Sequence, residues 1–337
     1  MKLTLEQIQS IARGVAYVSE ENDGVIFHRF TAEQEELYRQ TGEDFYRKAQ
    51  GSAGVRLHFR TDSQTLRFGA DIRCQSSSRS RYSFDVYVNG TPIAFFDNDD
   101  PALPYPSQEF PIVPVNGTVD LGAGDKEVQI YFPWSMCPCV TAVELDDSAV
   151  VTPVKPSKTM LSFGDSITHG YDALRPSGSY ASKLADALDA DARNKAIGGE
   201  IFFPALAKLK DDITPDYISV AYGTNDWSKC QPDQFCANCR EFYKALHDNY
   251  PTARIFAITP IWRGDYKDYR PMGDFFLIDK TIRELTADLE RVTVIDGFGF
   301  VPQDPALFAD LRLHPNDAGF EHYAANLIEQ VKKIIEG

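Results

Sequence analysis

Ser166 lies in the stretch MLSFGDSITHG (residues 160–170), where an apolar run stops and the chain turns. A serine in this position can cap a helix, bind a phosphate or act as a nucleophile, and serine is a favoured N-cap residue. A nucleophilic serine needs a general base, usually a histidine, and hydrogen-bond donors for the oxyanion that develops on the substrate. The choice between these roles therefore depends on whether the rest of the chain supplies such groups.

One of the six histidines is well placed to be that base. His314 lies in a late loop and opens the sequence HPND, which is a typical helix start and gives the histidine a rigid mount. His169, beside the serine, is a weaker second candidate. The remaining four are interpreted as structural or solvated side chains: His28, His58, His247 and His322.

Candidate donors follow two other apolar runs. The pair Gly198-Gly199 lets a backbone N–H approach a ligand without a side chain in the way, and Asn225 in YGTNDW offers a carboxamide. Glycine pairs and asparagine are also common at turns for conformational reasons alone. Four polar features that each follow a strand are nevertheless better explained by a shared site.

The elements that must position these residues alternate along the second half of the chain. Short apolar runs such as TMLSFG, YISVAYG, ARIFAITPI and RVTVID alternate with helical stretches such as SYASKLADALDA and FEHYAANLIEQVKKIIEG. This alternation predicts a parallel sheet covered by helices on both faces. Ligands bind at the carboxyl ends of the strands in such sheets, and the candidate residues follow those ends.

Residues from about 24 to 150 have a different pattern, with apolar and polar residues alternating as in GVRLHFR and YSFDVYVNG. A period of two predicts strands with one buried face, and hence an antiparallel, jelly-roll-like β-sandwich. Asn89-Gly90 and Asn116-Gly117 are predicted as hairpin-type turns, and TAEQEELYRQTG as a helix. The proline-containing segment 151–158 is predicted as a linker, which gives domains at 1–150 and 159–337.

Charge and composition exclude several classes of function. The net charge of −15 disfavours nucleic acid and anionic membrane surfaces as partners. No window approaches the roughly 20 apolar residues of a membrane span, and the N-terminal stretch lacks the apolar core of a signal peptide, so a cytoplasmic location is expected. No G-x-S-x-G, P-loop or dinucleotide-binding fingerprint is present.

The blocks FGDSITHG, NKAIGG, GTND and HPNDAGF, in this order, resemble those of SGNH hydrolases, also called GDSL-type esterases. The resemblance covers residues from about 158 to 337. It implies a flavodoxin-like three-layer α/β/α fold and ester hydrolysis without a metal or organic cofactor. By motif position, Ser166 would be the nucleophile and His314 the base. The Ser166 N–H, the Gly199 N–H and the Asn225 side chain would form the oxyanion hole.

The sequence departs from the family pattern at one position. The family usually has an aspartate three residues before the histidine, but Leu311 occupies that position and Asp310 stands one residue earlier. Either the loop bulges so that Asp310 still reaches the imidazole, or a backbone carbonyl orients it, as in family members that use a Ser-His dyad. Asp310 is kept as the third member, with Asp296 as a less favoured substitute.

The substrate is expected to be a small acyl ester, most simply acetyl, on a sugar or oligosaccharide. The first half of the chain resembles, more weakly, the N-terminal sandwich of some bacterial carbohydrate esterases. Aromatic rings can stack on sugar faces and narrow the space for an acyl chain. Aromatic residues near the presumed site are Tyr171, Tyr222, Trp227 and Trp262. The residues predicted to bind substrate are Asp165, Tyr222, Trp227 and Trp262.

Other functions stay open. A lysophospholipase or thioesterase would use the same residues with a longer acyl groove, and a carbohydrate-binding protein would carry the blocks as relics. A zinc site is disfavoured because the pairs Cys236/Cys239 and Cys137/Cys139 lie in different predicted domains. No metal is therefore expected, and a homo-oligomer is compatible with the sequence.

Overall fold

A computed structural model describes residues 1–21, 24–100, 103 and 110–337. The chain forms two compact units. The first comprises residues 1–157 together with 174–177, and the second comprises residues 158–173 and 178–337. Each unit has its own buried apolar cluster.

The first unit contains three helices and eleven strands in the described residues. They are α1 (Leu5–Ile11), β1 (Ala12–Arg13), β2 (Tyr17–Glu21), β3 (Gly24–His28), α2 (Ala32–Thr41), α3 (Glu43–Ala49), β4 (Arg56–Thr61), β5 (Thr65–Gln75), β6 (Ser83–Val88), β7 (Thr91–Asp97), β8 (Val115–Asp120), β9 (Lys126–Tyr131), β10 (Met136–Leu145) and β11 (Val151–Pro153).

Two antiparallel sheets make up most of the first unit. One has the order β1-β4-β9-β6-β7, with β11 also paired to β4, and the other has the order β2-β3-β10-β5-β8. Alternate residues of these strands, such as Leu57, Phe59 and Phe84, have no exposed surface and belong to one apolar cluster. The prediction of a β-sandwich is confirmed, because strands with a period of two bury one face. The predicted helix is α2, which begins at a capping box on Thr31.

The two predicted hairpin turns have different outcomes. Asn89 and Gly90 have positive φ angles of 48° and 77° and join β6 to β7, as expected for a tight turn. Asn116-Gly117 is not a turn but lies inside β8. A Cβ atom on Gly117 would lie 2.2 Å from a ring carbon of Phe96, so this glycine is required by close packing rather than by a turn.

The second unit alternates strands and helices from Lys158 to the C-terminus. Its elements are β12 (Lys158–Gly164), α4 (Ser166–His169), α5 (Tyr180–Ala187), β13 (Ala190–Asn194), α6 (Pro204–Lys208), β14 (Tyr217–Ala221), α7 (Thr224–Lys229), α8 (Pro232–Asn249), β15 (Arg254–Ile258), α9 (Leu277–Thr286), β16 (Val292–Ile295) and α10 (Asp317–Glu336).

All five strands of the second unit are parallel, in the order β13-β12-β14-β15-β16. This order confirms the predicted flavodoxin-like α/β arrangement, in which β13 lies on one side of β12 and the later strands lie on the other side. Central strand residues such as Leu161, Ile218 and Ile255 have no exposed surface, as both faces of the sheet are covered. The carboxyl ends of β12 and β14 therefore meet at one edge, where Ser166 and Asn225 follow them.

Part of the segment 151–158, which the sequence predicts as a linker, belongs to a sheet. Val151–Pro153 forms β11 and pairs with β4 of the first unit.

No helix in the described part of the chain is both long enough and apolar enough to span a membrane.

Candidate active site

Ser166 is the first residue of α4, directly after the carboxyl end of β12. The N-cap of this helix is Asp165, whose Oδ1 accepts a hydrogen bond from the Ile167 N–H at 3.0 Å. The capping role that the sequence left open for Ser166 is thus filled by its neighbour. The side chain of Ser166 remains available for another partner.

That partner is His314. Ser166 Oγ lies 2.8 Å from His314 Nε2, across 148 residues of sequence. The loop that carries His314 is closed by a hydrogen bond of 2.8 Å from the Ala309 N–H to the His314 carbonyl and by a bridge between Phe308 and Pro315. A hydroxyl within hydrogen-bond distance of an imidazole is the arrangement that a base-activated serine requires.

Asp310 reaches the other side of the imidazole despite its displaced position. Its Oδ2 lies 3.0 Å from His314 Nδ1, and its Oδ1 accepts from three backbone N–H groups, those of Arg312, Leu313 and His314. Burial opposes ionisation of this carboxyl, but the hydrogen bonds from His314 and from the Leu313 N–H outweigh it and hold its pKa well below the usual range. Asp310 is therefore an anion beside the imidazole.

The extra residue between Asp310 and His314 is accommodated at Leu311. Its backbone has a φ of 58°, a left-handed conformation that is rare for a residue other than glycine, and its side chain is 66% exposed. A bulge of this kind shortens the path between the aspartate and the imidazole. Of the two alternatives left by the sequence, the structure contains the bulge.

The three candidate oxyanion donors, the Ser166 N–H, the Gly199 N–H and the Asn225 side chain, follow the carboxyl ends of β12, β13 and β14. Asn225, in the first turn of α7, donates a hydrogen bond of 3.0 Å from Nδ2 to the Glu200 carbonyl, so its carboxamide is held next to Gly199. Gly199 has a φ of 85°, and Lys229 Nζ donates to its carbonyl at 2.6 Å. In the described residues, no acceptor takes a hydrogen bond from the backbone N–H of Ser166 or of Gly199. These groups can donate to an incoming oxyanion.

Gly198 and His169 have a different position. The Gly198 N–H donates to His169 Nδ1 at 3.3 Å, and a Cβ on Gly198 would lie 2.4 Å from the Tyr171 hydroxyl. Gly198 thus permits close packing against Tyr171, while the N–H of its neighbour Gly199 has no acceptor in the described residues. His169 is buried and supports the glycine turn, whereas the imidazole that contacts Ser166 is that of His314.

The three aromatic residues predicted to bind substrate are buried in the structure. Trp227 has no exposed surface, and Tyr222 and Trp262 are 1% and 6% exposed, so their role in binding substrate stays a prediction. Two guanidinium groups lie over the Trp227 indole, those of Arg263 at 4.9 Å and Arg270 at 5.4 Å from its ring centroid. These rings hold the loops around the site together.

Asp165 is also interior rather than exposed to a ligand. Burial raises its pKa to about 6, against the hydrogen bond from the Ile167 N–H. Burial likewise raises the pKa of Asp226 to about 7, although the Phe202 N–H donates to its carboxylate. Both carboxylates accept hydrogen bonds from backbone N–H groups that open short helices, and the role of Asp165 in binding substrate stays a prediction.

Two further residues contact His314, of which sequence reasoning placed Tyr171 only in the aromatic group near the site and missed Asp172. The ring of Tyr171 stacks on the imidazole with centroids 5.7 Å apart and an interplanar angle of 28°. Asp172 Oδ2 lies 3.6 Å from His314 Nδ1, and its side chain is fully buried. The only sequence signal for Asp172 is Gly170, which ends the short helix α4 with a φ of 107° and turns the chain back.

The alternative third member and the cysteines lie elsewhere. Asp296 is exposed and accepts a hydrogen bond from the Phe298 N–H at 3.0 Å. Cys239 is fully buried, and Cys236 is partly buried one turn before it on α8. In the described ranges, no cluster of three or more His, Cys, Asp or Glu side chains could hold a metal ion.

Comparison with known proteins finds a family model that matches part of the second unit. Residues 162–322, which include Ser166, Asn225 and His314, match the family model of the GDSL-like lipase/acylhydrolase family. No curated protein matches the sequence.

Several solved structures are similar in fold. Salicylyl-acyltransferase SsfX3 from a tetracycline biosynthetic pathway is 21% identical, with 96% of this chain and 94% of that chain covered and a TM-score of 0.77. A family two carbohydrate esterase from Clostridium thermocellum, solved with cellohexaose, is 17% identical, with coverage of 85% and 94% and a TM-score of 0.65. An acetyl xylan esterase from the rumen bacterium Butyrivibrio proteoclasticus is 16% identical, with coverage of 85% and 90% and a TM-score of 0.58. At these identities the likeness shows the fold.

Proposed function

We propose that the protein is a carboxylic ester hydrolase of the GDSL-like lipase/acylhydrolase family, whose model matches residues 162–322, and that it removes a small acyl group, most simply acetyl, from a carbohydrate. The observation that carries this proposal is the contact of 2.8 Å between Ser166 Oγ and His314 Nε2, with Asp310 at Nδ1. Two structural neighbours of the same fold are carbohydrate esterases.

The proposed mechanism uses only the side chains and N–H groups of the site. His314 Nε2 takes the proton from Ser166 Oγ as the oxygen attacks the ester carbonyl, and Asp310 stabilises the imidazolium that forms. The Ser166 N–H, the Gly199 N–H and one N–H of Asn225 hold the tetrahedral oxyanion. Measured donors of this kind contribute about 3–4 kcal/mol each to transition-state stabilisation. The protonated histidine then gives its proton to the leaving sugar oxygen, and water repeats the sequence to release the acid.

The close packing of the interior behind α4 is compatible with a small acyl group. A cavity lined in part by Asp165, Ile167, Tyr222 and Ile258 has a volume of about 20 Å³, which is about the space that one water molecule needs. The ring of Tyr222, which lines this cavity, is buried.

A cleft on the segment that follows β15 has the chemistry that a sugar requires. The segment after β15 reaches the site because the Arg263 guanidinium donates to the Thr224 carbonyl at 2.9 Å and the Gly264 N–H donates to the Arg312 carbonyl at 2.7 Å. Further along, this segment lines a cleft of about 560 Å³, in which Tyr269 is 92% exposed. The other lining residues are Tyr266, Lys267, Asp268, Gly273, Asp274 and Phe276. Exposed rings beside carboxylates and an ammonium group can stack on a sugar and hydrogen-bond its hydroxyls.

Hydrolysis of p-nitrophenyl acetate, butyrate and octanoate by the wild type, Ser166→Ala and Ser162→Ala tests the proposal. Ser162 is a matched control because it lies on β12, the strand that leads to Ser166, is buried and has no hydrogen-bond partner for its hydroxyl in the described residues. We expect turnover that falls with acyl length, is lost in Ser166→Ala by about 10⁴-fold or more, and is retained in Ser162→Ala.

Acetate release from acetylated xylo-oligosaccharides then tests the carbohydrate. A preference for octanoate would favour a lysophospholipase or thioesterase instead. An inactive wild type that binds oligosaccharides would favour a carbohydrate-binding protein, and either result would overturn the proposed function.

A further inference from the structure

His314 has two carboxylates at the same nitrogen atom. Asp310 Oδ2 lies 3.0 Å and Asp172 Oδ2 lies 3.6 Å from Nδ1. The Asp310 side chain is 24% exposed, whereas that of Asp172 has no exposed surface. A carboxylate that is removed from water is screened less and acts more strongly on a neighbouring charge.

The two carboxylates come from different parts of the second unit. Asp310 belongs to the loop of His314 itself and also binds three backbone N–H groups of that loop. Asp172 belongs to the turn that follows the helix of Ser166, and this turn is fixed by a hydrogen bond of 2.9 Å from the Tyr171 N–H to the Ser166 carbonyl. One carboxylate is therefore attached to the loop of the histidine, and the other to the turn next to the nucleophile.

The backbone of Asp172 has a left-handed conformation. Its φ is 70°, and aspartate is one of the few L-residues other than glycine that adopt this region readily. The residue type thus suits a tight turn after α4. This turn brings a fully buried carboxylate to within 3.6 Å of the imidazole.

We propose that Asp172 is a positioning residue for His314, a second carboxylate that stabilises the imidazolium and partly compensates when Asp310 is lost. The inference rests on the proposed esterase function and extends it. When the proton of Ser166 Oγ moves to His314 Nε2, the ring becomes a cation with its Nδ1–H directed at Asp310. Asp172, at the same end of the ring, adds a second negative charge to that stabilisation.

Other groups also face the imidazole and must be separated from Asp172 in any test. Tyr171 stacks on the ring, and Ser166 contacts Nε2. Asp165, at the N-cap of α4, interacts with the charge of His314 and titrates with a pKa of about 6. A pH–rate profile alone would combine the titrations of Asp165 and His314, so a direct observation of the imidazole is needed as well.

The kinetic test compares Asp172→Asn, Asp310→Asn and the double variant in their kcat/KM for p-nitrophenyl acetate between pH 5 and 9. We expect about a tenfold loss for Asp172→Asn, with the acid limb moved to lower pH by about half a unit, because the neutral amide no longer favours the cation. The double variant should lose more than the product of the two single losses. Asp189→Asn is the matched control, since Asp189 is a second left-handed aspartate, exposed and at the amino end of β13.

The direct test follows the His314 ring protons by NMR during a pH titration in the Ser166→Ala background, with His314→Gln used to assign the signal. The titration midpoint should fall in Asp172→Asn and stay unchanged in Asp189→Asn. Asp172→Gly provides a second variant, because glycine adopts a φ of 70° without strain and keeps the turn folded.

The two proposals fail in different ways. An inactive wild type would overturn the esterase function, while the NMR midpoint would still report on Asp172. An Asp172→Asn variant that matches Asp189→Asn in both the pH profile and the midpoint would overturn the role of Asp172, even in an active esterase.

Discussion

Asn225 is a residue whose proposed role can be separated from its structural role. Its carboxamide has two N–H groups, and the hydrogen bond to the Glu200 carbonyl uses one of them. The other can donate to the oxyanion, whose charge is greatest in the transition state. Loss of this donor should therefore affect the chemical step more than substrate binding.

Replacement of Asn225 by alanine should lower kcat for p-nitrophenyl acetate by about 10²–10³-fold and leave KM within about threefold. Asn249→Ala is the control, because Asn249 also donates from Nδ2 to a backbone carbonyl, that of Ala207, but lies at the end of α8. A rise in KM with an unchanged kcat would assign Asn225 to ground-state binding and contradict the oxyanion role.

The residues of the site differ in how far the sequence alone could predict them. Ser166 and His314 stand in blocks of distinctive sequence, so their pairing was predictable, and the structure brings them together. The contact of Asp310 depends on the left-handed backbone of Leu311, a conformation that leucine does not signal. The burial of Trp227 depends on Arg263 and Arg270, which are distant in the sequence. Such contacts are set by tertiary packing.

Asp265 connects two loops of the second unit. Its carboxylate contacts Arg263 at 2.6 Å, Arg270 at 2.9 Å and Arg312 at 2.8 Å. Arg312 lies two residues before His314, so Asp265 ties the loop after β15 to the loop of the base. Burial opposes ionisation of Asp265, but the hydrogen bond and charge of Arg263, with those of the other two arginines, hold its pKa well below the usual range.

Replacement of Asp265 by asparagine should lower the free energy of unfolding by about 3 kcal/mol at pH 7, because it leaves buried guanidinium charge unpaired. A carboxyl with a lowered folded-state pKa contributes stability above its unfolded pKa of about 3.9 and loses it as the pH falls. The difference between wild type and variant should hence be smaller at pH 3 by about 1 kcal/mol, as measured by urea unfolding at both pH values.

The control for this prediction lies on the same loop. Asp268 is exposed and contacts only Arg270 among the described ion pairs, at 3.2 Å, so Asp268→Asn should change the free energy of unfolding by less than about 1 kcal/mol. An equally large effect of Asp268→Asn, or a loss for Asp265→Asn that does not depend on pH, would argue against the linking role of Asp265.

The secondary structure of the second unit was more predictable than that of the first. Its buried strands are short apolar runs between amphipathic helices, and this pattern has few alternatives. In the first unit, Asn116-Gly117 has the composition of a turn but lies within β8, because Phe96 packs against Gly117. A close approach of this kind involves residues far apart in the chain and leaves no local signal.

The division into units also contains a feature that the sequence does not reveal. The sequence predicts one change of domain near residue 158, but residues 174–177 belong to the first unit although the second has already begun. Within the first unit, Arg175 contacts Asp97 at 2.5 Å, and the Ser177 hydroxyl donates to the buried Asp85 at 2.6 Å. Four residues are too few to produce a change in composition.

The whole protein should carry a single activated serine, and covalent labelling measures this most directly. Diisopropyl fluorophosphate transfers its phosphoryl group to a nucleophilic oxygen with loss of fluoride, and the adduct is located by intact mass and peptide mapping. We predict one adduct per chain, on Ser166, absent from Ser166→Ala and unchanged in Ser162→Ala. Labelling at another residue, or equal labelling of Ser166→Ala, would contradict the assignment of Ser166 as the nucleophile.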